Sequence, residues 1–239
     1  MLNSEIILQR LEDMALQPDP SDSLWPENCA GSRKALVIFV GPSPGGSKEA
    51  EHPDINPTGN KPLWNQPYLE PLKWSRGFKE SFKPIVEEIF KKPYEEAAKL
   101  IARFNMDWRQ NPQSSDVSYY YMWEGCAFIL PVLYECEPSL VIPMDEKTFG
   151  VLQIALYNDR YEIHSARIGK VEIRISDKRL HRKIKAFKAD NGIKSFLVIK
   201  SMQHPARIYD HDYATRIGRA IRIAADQIWN REIVGINLR

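Results

Sequence analysis

Apolar strands alternating with helical segments predict an α/β protein of three layers, a central, mostly parallel sheet with helices on both faces. Three observations carry this. Ala35 to Val40, Leu140 to Ile142 and Phe196 to Ile199 are apolar almost throughout, as strands covered on both sides must be. Apolar residues at helical spacing lie between them. The 239 residues, 43% hydrophobic and 27% charged, suffice for one sizeable core, so 1–239 reads as a single domain, with an N-terminal helix and linker over 1–33.

Ile6, Ile7, Leu11 and Met14 share one face of a short helix, and Pro18, Pro20 and Pro26 break the chain before the first strand, Ala35 to Val40. From Gly41 to about Pro71 seven prolines exclude regular structure, and a stretch of that length inside a domain is a candidate wall of a site. Phe78, Phe82, Ile85, Val86 and Ile89 predict a helix; Tyr94, Ala97, Ala98 and Ile101 predict a second after Pro93. Val117 to Trp123 reads as a strand, feeding a helix with Phe128, Ile129, Val132 and Leu133. Then come the strand Leu140 to Ile142, a helix from Glu146 to Leu156, and a hairpin pairing Tyr161 to Ala166 with Lys170 to Ile175 around Gly169. A helix from Lys178 to Ala189, the strand Phe196 to Ile199 and a helix from about Tyr213 to Trp229 complete the order.

Composition excludes several classes. Cys29, Cys126 and Cys136 form no CxxC pair and leave an odd thiol, so neither a disulfide framework nor a four-thiolate cluster is expected, and a reducing cytoplasm suits the chain. No signal-peptide pattern and no apolar window of membrane-spanning length is present, so a soluble protein free of membrane is expected; a monomer is expected as well. His52, His204 and His211 with Asp54, Asp210 and Asp212 match no metal-ligand spacing, so neither metal nor other cofactor is expected. Net charge is only +2, so attraction to DNA rests on local basic clusters.

Two strands end in stiff turns carrying polar groups, and ligands of open α/β sheets bind beyond the carboxyl ends of the strands. Gly41-Pro42-Ser43-Pro44-Gly45-Gly46-Ser47-Lys48 has the glycine separation of a phosphate loop, but the Lys and Ser are in the wrong order and two prolines remove N–H donors. Such rigidity suits fixing a few backbone groups and a water against a planar ligand. The other turn, His204-Pro205-Ala206-Arg207, sets a histidine where it can donate to charge developing on a leaving group.

Together, in this order, the two turns resemble the signature motifs of the uracil-DNA glycosylase superfamily: Gly41-Pro42-Ser43-Pro44-Gly45 with Glu49 beyond, and His204-Pro205 followed by a small residue. The resemblance spans about Lys34 to Ile223 and includes the middle segment Cys126 to Thr148. It implies a uracil-DNA glycosylase-like fold outside the iron–sulfur branches, and a monofunctional glycosylase that swings a base out of DNA and hydrolyses its N-glycosidic bond. His204 would stabilise the departing base, and the backbone of Gly41, Pro42, Pro44 and Gly45 would hold base or water. Where several branches carry Asp or Asn, this chain has Ser43, a poor general base. The role passes to Asp54 first and Glu49 second, or is dispensed with.

Members that remove uracil commonly read its edge with an Asn at the end of the second strand; here Met122-Trp123-Glu124 is taken for that place. Glu124 either accepts from an exocyclic amine, which suits a modified and even hypermodified cytosine, or simply opens a helix. Trp64 and Tyr68 are candidates for stacking on the extruded base. Arg207, Ile208 and Tyr209 stand where a wedge would fill the duplex. Lys178, Arg179 and Arg182, on the expected basic helix, contact phosphates or form a solvated face. The alternative to an enzyme of repair or phage defence is a DNA-binding module of the same fold that has lost catalysis.

Overall fold

The computed structural model describes residues 29–43, 76–107, 117–165, 171–175, 178–182, 184–201, 204–205, 208 and 210–228. Strand β2 (Val37–Gly41) is buried at every position. Its side chains alternate between two cores, Val37 and Phe39 facing one and Ile38 and Val40 the other. The first core lies beneath α1 (Arg76–Phe90), entered through Phe82, Ile85 and Val86. After α2 (Tyr94–Ala97) and a 3₁₀ turn (Ala98–Leu100), strand β3 (Ile101–Asn105) runs parallel to β2. The short β1 (Cys29–Gly31) closes that side in antiparallel fashion.

Helix α3 (Tyr119–Cys136) crosses to the second core, its first turn capped by the Ser118 hydroxyl, which accepts from the Tyr120 amide. It leads to β4 (Leu140–Pro143), parallel to β2 on the side away from β3. Helix α4 (Glu146–Asn158) covers the second face through Leu152 and Leu156, and its cap is Asp145, which accepts from the Thr148 amide at 2.7 Å. Then come β5 (Glu162–Ser165), a separate ribbon of β6 (Val171–Ile175) and β7 (Lys178–Arg182), β8 (Ala186–Asp190) and β9 (Ser195–Ile199). Helix α5 (His211–Ile228) returns to the first face beside α1.

The strand order is β1-β3-β2-β4-β9-β8-β5. Its middle, β3-β2-β4-β9, is parallel, and antiparallel pairs flank it on both sides. Helices cover both faces, so the α/β architecture holds, but the sheet is evenly mixed, with three parallel and three antiparallel pairs, and not mostly parallel. Burial of each large core side chain stabilises by about 1.5–3 kcal/mol, and the edge-to-face pair Phe39–Phe82, with centroids 4.7 Å apart, couples sheet to helix. No helix among the described residues is long and apolar enough to cross a membrane.

Four further expectations are corrected. The helix after Pro93 stops at Leu100, and Ile101 begins β3, since Leu36 donates to the Leu100 carbonyl and draws the chain into the sheet. Val117 to Trp123 is not a strand; the chain turns helical at Tyr119, where the Ser118 cap outweighs the β preference of three tyrosines. The segment Tyr161 to Ala166 does not pair with Lys170 to Ile175: β5 pairs with β8, and β6 with β7. Lys178 to Ala189 is not a helix but β7 followed by β8. The alternation of Val171, Ile173 and Ile175 offers β7 a pairing partner, and β8 is drawn into the main sheet by burial of Ala186, Phe187 and Ala189.

Candidate functional site

The parallel ladder continues past the ends of its strands. The amides of Met106 and Asp107 donate to the carbonyls of Gly41 and Pro42, both at 2.8 Å. Met144 donates to Val40 and Ser201 to Pro143, also at 2.8 Å. The segments leaving β3, β2, β4 and β9 are therefore held side by side along one edge. Polar side chains are withdrawn from water here: Ser43, Asn105, Asp107 and Ser201 are all buried, Asp107 completely. An apolar core would not collect them without partners or a task.

This edge contains the topological switch point. From β2 the chain leaves for α1 on one face, whereas from the adjacent β4 it leaves for α4 on the other. The two strand ends, Pro42-Ser43 and Met144-Asp145, thus flank the kind of position where ligands of open α/β sheets bind. Asn105 lies against it. Register sets it opposite Gly41, and a Cβ on residue 41 would stand 2.6 Å from Asn105 Oδ1 and 2.8 Å from Met144 Cε. The missing side chain is thus what lets the Asn105 amide lie over the end of β2.

His204 reaches the same edge, three residues after Ser201 is bonded to β4. It is half-buried and the following Pro205 is buried. The Pro205 carbonyl accepts from the Ile208 amide at 3.0 Å, closing the turn, and the Ser81 hydroxyl donates to the Ile208 carbonyl, tying the turn to α1. With only β4 between them, the ends of β2 and β9 are about 10 Å apart. Beyond β4, Glu146 is held by Lys185 and, at 3.1 Å, by Lys200; the hydrogen bond from Lys185 leads in keeping its carboxyl below the usual glutamate range.

Of the residues singled out from sequence, Gly41, Pro42 and Ser43 lie at this edge, and His204 follows β9 three residues after Ser201. Pro44, Gly45, Glu49, Asp54, Trp64, Tyr68, Arg207 and Tyr209 lie outside the described residues. Ile208 is not a wedge: it is 1% exposed and belongs to the core beneath α1 and α5, as the apolar anchor of the histidine turn. Lys178, Arg179 and Arg182 stand on β7 of the ribbon and not on a helix; β5 is parallel to β9, so the segment carrying them leaves the main sheet at the site's own edge. Trp123 and Glu124 do not end a strand; they lie in the first turns of α3, Trp123 exposed and Glu124 half-buried.

The strand next to β2 on the motif side is β3, and its last residue is Asn105. The polar residue that ends the strand beside β2 is therefore Asn105 and not one of Met122 to Glu124, and neither it nor the buried Asp107 and Ser201 is among the residues singled out from sequence. The signal was present: Phe104-Asn105-Met106-Asp107 is an apolar strand breaking into polar residues, as at Gly41. A scan against protein-family models returns no match to the chain, and comparison with curated proteins returns no significant match.

Proposed function

We propose that this chain is a monofunctional DNA glycosylase that flips out and excises uracil or a modified base, hypermodified cytosine included, in repair or in defence against phage. One observation carries the reading: Gly41-Pro42-Ser43, Asn105 and His204 follow or end β2, β3 and β9, strands of the parallel middle of one sheet, at its carboxyl edge by the topological switch point. The departing base takes the electron pair of the glycosidic bond while the sugar becomes cationic. His204 donates a hydrogen bond to the base as this charge grows, and its proline-locked turn holds it in place beforehand. The Ser43 hydroxyl and the Pro42 backbone hold the attacking water. Its carboxylate comes from Asp54 or Glu49 in the loop, or from Asp107, whose amide is bonded to Pro42.

Asn105 reads the base edge. An amide both donates and accepts, so one orientation takes O4 and N3–H of uracil, and the flipped orientation takes N3 and the exocyclic amine of a cytosine. The alternative of a DNA-binding module without catalysis draws on Ser43 standing where a carboxylate would activate water. Both readings are tested by incubating the protein with oligonucleotides carrying uracil or modified cytosines, and with phage DNA, followed by alkaline cleavage at abasic sites. Excision is expected from at least one substrate, falling by about 10²–10³ in His204→Ala. Binding without abasic product from any substrate selects the inactive module; neither binding nor product rejects both.

A further inference from the structure

The first turns of α3 expose Tyr119 by 61%, Tyr120 by 65%, Tyr121 by 39% and Trp123 by 44%. Packing does not require them, since the buried face of this helix is made by Met122, Gly125, Cys126 and Ile129. Four large rings in five residues at the surface mark a place of contact. Their position points to the site. Gly125 lies so close to β3 that a Cβ there would be 1.5 Å from the Met106 carbonyl oxygen, which fastens α3 to the residue after Asn105. Lys147, from the first turn of α4, donates to the Val117 carbonyl at 2.9 Å and sits 5.1 Å from the Tyr119 ring centre. The aromatic turn is thus anchored to both β3 and α4 at the carboxyl edge. Lys147, Lys185 and Lys200 lie along that edge, the last two sharing the carboxylate of Glu146.

We infer that this aromatic turn is a stacking surface for the unpaired bases of a single DNA strand entering the site. Rings that stack on bases, beside ammonium groups that meet phosphates, are the chemistry of single-strand binding. Paired bases in a duplex keep their faces covered, so the surface selects single-stranded or locally opened DNA. The inference deepens the glycosylase reading and rests on it for the base that enters the pocket.

The test is a titration of the full-length protein with a labelled oligothymidine of roughly a dozen nucleotides, and with the same strand annealed to its complement. Wild type is expected to prefer the single strand, with quenching of its intrinsic fluorescence. Tyr119→Ser combined with Tyr120→Ser should weaken single-strand binding by about fivefold to a hundredfold, with the salt dependence unchanged, because the phosphate contacts remain. The Tyr→Phe pair keeps the rings and should bind as wild type, and thermal melts should show all variants folded. Preference for the duplex, no binding of the single strand, or a serine variant within about twofold of wild type overturns the inference. Excision that persists without tyrosine-dependent binding overturns it alone; tyrosine-dependent binding without excision overturns only the glycosylase reading and upholds the surface.

Discussion

Gly41→Ala probes the site through one atom. The added Cβ would stand 2.8 Å from Met144 Cε and 2.6 Å from Asn105 Oδ1. The methionine tip is the end of a flexible chain and moves aside cheaply. The amide is 3% exposed at the end of a buried strand and must retreat by roughly 0.8 Å, from 2.6 Å to the 3.4 Å of ordinary contact. Overpacking of this kind costs about 1–3 kcal/mol, which in a chain of this size lowers Tm by roughly 2–4 °C per kcal/mol. On the proposed reading Asn105 contacts the base, and moving such a group by about 1 Å costs on the order of 10²-fold in the chemical step. The assay is single-turnover excision beside a thermal melt, and the expected result is a modest loss of stability with a large loss of rate. A lowered Tm with full rate would show that Asn105 takes no part in recognition; no change in either would refute the packing argument itself.

Gly125→Ala is expected to be far more damaging, because the group in its way, the Met106 carbonyl, is backbone and cannot swing aside; a loss of at least 3 kcal/mol in denaturant unfolding checks it. Glu88 is pushed up by burial, but Lys91 and Arg219 outweigh this and hold its carboxyl below the usual range. The stability it contributes is therefore present above the ordinary glutamate value of about 4.3 and is lost as pH falls through the depressed folded value. Glu88→Gln should cost about 1–3 kcal/mol near neutrality, and its stability curve should converge on wild type in acid. Burial pushes the thiols of Cys126 and Cys136 up to about 12. In a Cys29→Ser background no thiol should react with an aromatic disulfide reagent at mildly alkaline pH until denaturant is added.

The strands buried on both faces were readable from short, unbroken apolar runs bounded by polar or turn residues; β2, β4 and β9 lie where Ala35, Leu140 and Phe196 announce them. Strand β3 was hidden by local mimicry. Tyr94, Ala97, Ala98 and Ile101 have helical spacing, yet the helix they describe is a single turn and a 3₁₀ continuation, ended by the pull of β2. Hiding β3 also hid Asn105, the polar residue at its end. The antiparallel extension was misjudged for another reason. Basic residues spaced along Lys178 to Lys188 imitate an amphipathic helix, while the Asn191-Gly192 turn, with Gly192 at φ +79, was the overlooked sign of the β8–β9 hairpin. The end of β2 at Gly41 was legible because a stiff turn at a strand end is a local feature that no distant partner can disguise.

The divergence of the chain at the ends of β2 and β4 has a mechanical side. The end of β2 is continuous with the α1–α5 layer and the end of β4 with the α3–α4 layer, and among the described residues the sheet lies between the two layers. A molecule seated between these strand ends would rivet the two layers together, so its occupancy should slow amide hydrogen exchange on both faces at once, including helices it never touches.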